Sequence, residues 1–324
     1  MRHYTFIDYI TQGYLALVGL IILVLHNASV PHWKLLLLAH GVCISLVHLL
    51  IRAHAARPAQ PVLNFLRHFY PIFLYTGFYR ETGALNQTLF TGYLDPFFIR
   101  LEDRLFGFQP SLAFMEWLPY VWVSEIFYAA YFSYYVMITG VGLALFLRDR
   151  RQFLHYVSIV SFVFYLCYLA YIVTPVIGPR LFFREVGGYQ LPADVLPQTV
   201  PGVPEAVQAG PFYRMMVVIY DIFESPGAAF PSSHVAVALC TLYFSFIYLR
   251  RIRHVHLIAV VLLCLATIYC HYHYVVDIVA GTATAAVLVP LGNRLYFRFS
   301  SARSRAATGT MVGQETDTAQ ISRS

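Results

Sequence analysis

The run FLHYVSIVSFVFYLCYLAYIVTP occupies residues 153–175 and indicates the fold class. It contains no Asp, Glu, Lys or Arg, and it exceeds the roughly 20 apolar residues that a helix needs to cross a bilayer. Hydrophobic residues make up 59% of the chain and charged residues only 12%, so the run belongs to a chain of apolar character. We therefore predict an all-α, polytopic membrane helical bundle.

Apolar segments of similar length recur along the chain. The clear ones are 11–30, 35–51, 121–147, 153–175, 231–249, 255–272 and 277–297. A weaker segment, 62–79, is interrupted by Asn64, Arg67 and His68. The first segment follows a short polar region and is not followed by a convincing small-residue cleavage site. We therefore treat it as a retained helix and not as a signal peptide.

Basic residues in the connections indicate the orientation of the spans. Arginines crowd the connections at 148–151 and 250–253 and also follow the last span, so the positive-inside rule places all three in the cytoplasm. The long connection 176–230 then lies outside, and its five acidic residues outnumber its three basic ones. Segment 62–79 must also cross, because residue 121 has to begin outside. We predict about eight transmembrane helices with both termini in the cytoplasm.

We divide the chain into three parts. Residues 1–58 form an N-terminal transmembrane hairpin, and residues 59–299 form a membrane domain with the outer loop 176–230. The segment 300–324 is rich in Ser, Thr, Ala, Gln and Arg, which is typical of a disordered cytoplasmic tail. Within the outer loop, residues 205–224 have the pattern of an amphipathic helix on the outer leaflet. Such a helix could gate lipid access or simply cover the loop.

Two polar stretches lie at the ends of these spans. They are Phe230-Pro231-Ser232-Ser233-His234 and His271-Tyr272-His273-Tyr274-Val275-Val276-Asp277. The predicted topology places both stretches on the outer face, together with Gly178-Pro179-Arg180. A lone His at such a position is more often a satisfied structural residue. Four ionisable groups that converge at membrane depth, however, indicate a functional site, and these are Arg180, His234, His273 and Asp277.

The spacing of His273 and Asp277 indicates a nucleophile. In a helical backbone, residues four apart share a face, so the carboxylate can hold one ring nitrogen protonated and leave the other free to attack. A metal bound by His271, His273 and Asp277 is an alternative, since imidazole and carboxylate suit zinc. That site would need supporting hydrogen bonds that the sequence does not display. His271 could instead bind phosphate or be structural at the membrane boundary.

These motifs together resemble the type 2 phosphatidic acid phosphatase superfamily, whose members cleave lipid phosphates. The resemblance covers about 175–285, and it is closest to the inositol phosphorylceramide synthase-like branch, in which an aromatic residue follows the second His and a Gly-Pro-Arg-like sequence carries the Arg. The segment from Asp95-Pro96 to Gly107 also resembles an amphipathic stretch of that branch. The resemblance implies a six-helix lipid phosphatase-like core and a metal-independent mechanism without a cofactor.

The chain departs from the general superfamily motifs at several positions. The Lys and Pro of the first motif, the Ser-Arg pair of the third and the Gly of the second are replaced by Val173, Leu181, Ala266, Thr267 and Ser233. The sole Lys, Lys34, lies near the outer end of the second span and is a poor replacement. The phosphate charge must therefore be met by Arg180, with Arg184 or Arg214 as further candidates, and by backbone N–H groups at a helix start.

The resemblance also implies a role for each residue. His273 attacks phosphorus to form a phosphohistidine, while Asp277 orients the ring and stabilises the imidazolium. His234 protonates the leaving oxygen and then deprotonates the incoming water or alcohol. Arg180 and the amides of Ser232 and Ser233 bind the phosphate. We add His271 as a candidate phosphate ligand, in place of the missing Arg of the third motif.

We therefore expect a lipid phosphatase or head-group phosphotransferase, with a membrane lipid as substrate and water, a lipid alcohol or a polyol as acceptor. The branch implies transfer of a phosphorylated head group, such as inositol phosphate, to a sphingolipid-type alcohol. The alternative is a transporter or lipid flippase, but the paired inverted segments expected of one are not visible. The net charge of +6 lies mostly on cytoplasmic loops and does not imply nucleic acid. The Arg-rich, Lys-poor composition favours a bacterial inner membrane with the site on the periplasmic face.

Overall fold

The computed structural model describes residues 3–30, 32–183 and 202–321, with side chains described as far as residue 301. This part of the chain is helical, and its one strand-like pairing is an isolated bridge between Val176 and Ala228. The all-α prediction is confirmed. The helices are α1 (Phe6–Leu25), α2 (Trp33–Ala56), α3 (Pro61–Leu85), α4 (Asp95–Phe106), α5 (Pro110–Trp117), α6 (Val121–Arg148), α7 (Arg150–Val173), α8 (Pro179–Phe182), α9 (Glu205–Gln208), α10 (Pro211–Phe223), α11 (Ser233–Tyr248), α12 (Arg253–Tyr269) and α13 (Val275–Ile321).

Each predicted apolar segment coincides with one of these helices, although the first helix begins at Phe6 rather than at residue 11. Five helices in the described residues are long and apolar enough to cross a membrane, namely α1, α2, α6, α7 and the part of α13 from Val275 to Ser301. Helices α11 and α12 are apolar but only 16 and 17 residues long. The chain is a multi-pass membrane protein, and the count of eight spans and the six-helix core stay predictions.

Helix α3 is long, but charged residues lower its hydropathy. Arg67 is buried and forms an ion pair with Asp8 of α1, which also accepts a hydrogen bond from Tyr70 Oη at 2.7 Å. Near the other end of α3, Glu81 Oε1 lies 2.7 Å from Nε2 of His40 in α2. Charges that are paired inside a bundle are tolerated at membrane depth. The N-terminal hairpin therefore supplies the partners that α3 needs.

Helix α7 lies at the centre of the bundle, and most of its apolar residues are buried, as in Val163 and Tyr171. The main core cluster joins α7 to α1, α3, α6, α11 and α13. Thr11 Oγ1 of α1 lies 3.1 Å from Tyr165 Oη of α7, so the first helix is part of this core. The domain boundary at residue 58 stays a prediction. The disordered tail 300–324 also stays a prediction, although the backbone of α13 continues to Ile321.

The order of the helices brings four helix ends to one face of the bundle. Helices α7 and α12 end there, at Val173 and Tyr269, while α11 and α13 begin there, at Ser233 and Val275. This juxtaposition places the two polar stretches and the Arg180 segment together, as the sequence predicts.

The helix predicted over 205–224 is divided into α9 and α10 at Gly210. Glu125 of α6 reaches this break, and its Oε2 accepts a hydrogen bond from the Phe212 N–H at 2.8 Å. A Cβ at Gly210 would lie 2.0 Å from Glu125 Oε1, so only glycine leaves room for the carboxylate. The glutamate satisfies an N–H at the start of α10 that has no partner within the helix.

Candidate active site

In the turn between α12 and α13, the ring of His273 contacts the carboxylate of Asp277. His273 Nδ1 lies 3.2 Å from Asp277 Oδ2, and the same oxygen accepts a hydrogen bond from the Tyr274 N–H at 2.9 Å. Asp277 is the third residue of α13 and bonds back to the N–H that precedes the helix, which is one half of a capping box. A single carboxylate therefore fixes both the start of α13 and the ring of His273.

The two ring nitrogens of His273, the predicted nucleophile, have different partners. The side chain is buried, and burial lowers the pKa of the imidazole, opposed by a backbone hydrogen bond at Ala229, so the ring is neutral at neutral pH. With the Nδ1 proton directed at Asp277, the lone pair lies on Nε2. Nε2 is 3.2 Å from Ser232 Oγ and 3.4 Å from His234 Nδ1. The nitrogen that carries the lone pair thus faces the second polar stretch.

The start of α11 is tied to both α13 and α7. Ser232 caps α11, since its Oγ accepts a hydrogen bond from the Val235 N–H at 3.3 Å. The Ser232 N–H donates to the carbonyl of Asp277 at 3.1 Å, and the Ser233 N–H donates to Tyr171 Oη at 3.1 Å. Both amides that were expected to bind phosphate have protein partners in this structure. Their phosphate role stays a prediction.

Gly281 allows α13 to approach the start of α11. A Cβ at this position would lie only 2.5 Å from the carbonyl oxygen of Ser232. Gly281 follows Asp277 by one helical turn, so both residues lie on the same face of α13. The glycine therefore sets the distance between the helix that carries Asp277 and the helix that carries His234. Sequence reasoning missed it because a glycine within an apolar helix does not reveal what it faces.

Arg180 lies beside the turn between α12 and α13, and its guanidinium has a carboxylate partner. Nη1 donates to Glu224 Oε1 at 2.9 Å, just beyond the end of α10. Its Cζ lies 4.6 Å from the ring centre of Tyr220 and 5.6 Å from that of Tyr272, the residue before His273. The cation predicted to bind phosphate is thus held by Glu224. The sequence marks Glu224 only as an acid of the outer loop.

A cavity of about 370 Å³ opens next to His234 between α3, α6, α7, α10 and α11. Ser233 and His234 line its end at the site, and Ile72, Ile138 and Phe164 line the part between the long helices. Tyrosines contribute much of the remaining wall, including Tyr75, Tyr79, Tyr134 and Tyr168. Ile219 and Phe223 place α10 at this cavity as well.

Three other predicted phosphate ligands have less support from the geometry. His271 is buried in the turn after α12, with a left-handed φ of 63°, and its phosphate role stays a prediction. Arg214 is exposed on α10, and Arg184 lies outside the described residues. Within the described part of the chain, no group of three His, Cys, Asp or Glu side chains is arranged to hold a metal ion. The alternative ligand set His271, His273 and Asp277 gains no support.

Helix α4 contributes two buried carboxylates that sequence reasoning did not single out, Asp95 and Glu102. Asp95 accepts hydrogen bonds from two backbone N–H groups of the segment before Arg180, and Glu102 accepts one from the Val275 N–H at 2.5 Å. Burial raises the pKa of each carboxyl to about 7, and these hydrogen bonds oppose the rise. The available signal was the spacing of the two acids, which lie two helical turns apart in an amphipathic segment.

The fold and the site together define a polytopic helical membrane protein with a His–Asp pair and a second His at one face. A family model for the PAP2 superfamily matches residues 97–291. Because that match covers more than half of the chain, the protein belongs to the PAP2 superfamily, whose members are generally phosphatases. The matched region includes most of α4, which lies well upstream of the segment 175–285 that carries the resemblance in sequence. Comparisons with curated proteins and with solved structures gave no match.

Proposed function

We propose that this protein is an integral membrane enzyme that cleaves a lipid phosphoester or phosphodiester through a phosphohistidine on His273. The observation that carries the proposal is the arrangement of the His273 ring. Asp277 holds one nitrogen at 3.2 Å, and the other nitrogen faces His234 at 3.4 Å. A nucleophile, the group that orients it and an acid–base partner are thus within reach of one phosphorus atom.

The reaction proceeds in two displacements. The lone pair of His273 Nε2 attacks phosphorus, the bond from phosphorus to the leaving oxygen breaks, and protonated His234 gives that oxygen its proton. His234 then removes a proton from water or an alcohol, whose oxygen attacks phosphorus and breaks the P–N bond. Asp277 stabilises the imidazolium formed between the two steps. Arg180 neutralises the equatorial oxygens once Glu224 releases it.

The cavity supports a lipid as the substrate. It leads from His234 between long apolar helices, where the chain of a membrane lipid can lie while its phosphate reaches His273. We further propose, from the resemblance to the inositol phosphorylceramide synthase-like branch, that the preferred reaction is transfer of a phosphorylated head group to a lipid alcohol. Hydrolysis requires the same residues, since water replaces the alcohol in the second displacement.

A panel assay tests this function. Purified protein in lipid nanodiscs would be incubated with phospholipids or lipid phosphates, with and without ceramide, diacylglycerol or inositol, while free phosphate and new lipid products are measured. We expect turnover of at least one substrate, retained in EDTA and absent in His273→Gln. Movement of intact lipid across the bilayer without any product would favour the flippase alternative and contradict the proposal. Loss of turnover in EDTA with rescue by zinc would support the metal alternative.

We also propose that the site lies on the outer face of a bacterial inner membrane. The arginine-rich connections favour the outer face, and the Arg-rich, Lys-poor composition favours a bacterial source. Ala206 in α9 and Arg251 beyond α11 are both exposed, and the five native cysteines are buried or half-buried. An impermeant thiol reagent added to intact cells should label Ala206→Cys above the wild-type background and leave Arg251→Cys unlabelled. Labelling of Arg251→Cys alone would place the site in the cytoplasm.

A further inference from the structure

Helix α4 lies across the two segments that carry Arg180 and His273. Its residues Asp95 and Glu102 are seven positions apart, so they lie two turns apart on one face. Both side chains are 0% exposed. A buried carboxylate is costly unless it is well hydrogen-bonded, so the partners of these two acids indicate what they do.

Asp95 bonds to both segments at once. Its two oxygens accept hydrogen bonds from the backbone N–H groups of Ile177 and Gly178, each at 2.8 Å. Oδ1 also accepts a hydrogen bond from Tyr274 Oη at 3.0 Å. Gly178 lies two residues before Arg180, and Tyr274 directly follows His273. A single carboxylate therefore links the proposed phosphate-binding segment to the proposed nucleophile.

The two segments also touch directly, which leaves them little room to adjust. Gly178 has a φ of 93°, and a Cβ there would lie 2.7 Å from the carbonyl oxygen of Tyr272. Glu102 completes the arrangement, because its Oε1 accepts a hydrogen bond from the Val275 N–H at 2.5 Å. That N–H belongs to the first turn of α13 and has no partner within the helix.

We propose that Asp95 is a positioning residue that holds Arg180 and His273 at the spacing needed for both to act on one phosphate. Glu102 supports it by anchoring the start of α13. The inference rests on the proposed function, because this spacing matters to catalysis only if both groups contact the same phosphorus centre. Displacement of a reacting group by about 1 Å costs on the order of 100-fold in rate.

The test compares Asp95→Asn with Asp103→Asn, the same substitution at an exposed position of the same helix. We expect Asp95→Asn to lower kcat per folded enzyme by about 10- to 100-fold and to change KM by less than about threefold. KM changes little because most of the lipid is bound by its apolar part. Asp103→Asn should match the wild type in both constants.

Tyr274→Phe removes one donor to Asp95 and nothing else, so it should lower kcat by only about 3- to 10-fold. Added to Asp95→Asn it should have little further effect, because the hydroxyl acts through the carboxylate. A kcat for Asp95→Asn within twofold of the wild type, or independent effects in the double variant, would overturn the proposal.

Hydrogen exchange gives a readout that does not depend on turnover. In Asp95→Asn, the amides of 176–180 and 272–277 should exchange faster together, while those of α10 stay unchanged. Unchanged exchange in either segment would overturn the link through Asp95. A wild-type protein without activity on any lipid would instead contradict the proposed function, so the two failures are distinguishable.

Discussion

Two buried His–acid pairs in this protein differ in the partner of the second ring nitrogen of the histidine. His40 has both ring nitrogens engaged, Nδ1 at 2.8 Å from the Leu15 carbonyl oxygen and Nε2 at 2.7 Å from Glu81 Oε1. His273 has only Nδ1 on a carboxylate, and its Nε2 faces Ser232 and His234. The first pair joins three helices of the N-terminal part. The second leaves Nε2 facing the start of α11, where we propose that a phosphate binds.

The comparison shows that pairing with an acid does not by itself make a histidine a nucleophile. His155 makes the same point without an acid, since Nδ1 lies 2.9 Å from Tyr248 Oη and Nε2 lies 2.7 Å from Asn293 Oδ1. In His40 and His155 both ring nitrogens are bonded to groups packed inside the bundle. Of the three histidines compared, His273 is the one that pairs a carboxylate on Nδ1 with a second nitrogen facing His234, which lines the cavity.

The largest effect is expected when the same substitution is made in both pairs. His273→Gln should lower kcat on the order of 10⁴-fold or more, because it removes the nucleophile. His40→Gln keeps an N–H donor for Glu81 and should leave kcat per folded enzyme within about threefold, with a lower melting temperature in nanodiscs. Steady-state kinetics on equal amounts of folded protein would check both. Near-normal turnover of His273→Gln would remove the distinction between the pairs.

An intermediate effect is expected from Gly281, which sets the distance between the two halves of the site. Gly281→Ala places a Cβ 2.5 Å from the Ser232 carbonyl, so the helices must shift and kcat should fall by about 10- to 100-fold. Gly140 in α6 has open space around its Cα, and Gly140→Ala is therefore a matched control. Equal activity of the two variants would show that the spacing of α11 and α13 does not limit the reaction.

The smallest effect concerns Glu224, the acid that holds Arg180. The pair is partly accessible, with 16% and 23% side-chain exposure, and such pairs contribute up to about 1 kcal/mol. Glu224→Gln should therefore tighten competitive inhibition by inorganic phosphate by about two- to fivefold, since Arg180 becomes available. Asp221→Asn, an exposed acid on α10, is the control. Weaker inhibition in Glu224→Gln would mean that Glu224 assists phosphate binding.

The helices and the face that carries the site could be predicted from sequence. Long apolar runs can satisfy their backbone in a bilayer only as helices, and arginine-rich connections set the direction of each run. Direction alone brings His234 and His273 to one face, although they are far apart in the chain. Segment 62–79 could be assigned as a helical span because residue 121 has to begin outside, which requires one more crossing. Arg67 in this segment and Glu81 just beyond it pair with Asp8 and His40 of other helices, so the segment itself could not reveal these partners.

The remaining features depend on tertiary contacts that no local pattern reports. Gly281 and Gly178 matter because of the backbone that each approaches, and Asp95 matters because its oxygens reach two distant segments. The partner of Arg180 likewise comes from the far end of the outer loop. The amides of Ser232 and Ser233 illustrate the same limit, since a helix start suggests free donors whereas Asp277 and Tyr171 accept from them.

Identification of the phosphorylated residue tests the central claim most directly. Wild-type protein would be incubated with a substrate labelled at its phosphate, quenched under alkaline conditions, digested and mapped by mass spectrometry. We predict an acid-labile phosphoryl or head-group phosphoryl adduct on Nε2 of His273, which is absent in His273→Gln and present in His40→Gln. An adduct on His234 or His271, or turnover by a single displacement with inversion at phosphorus, would contradict the account.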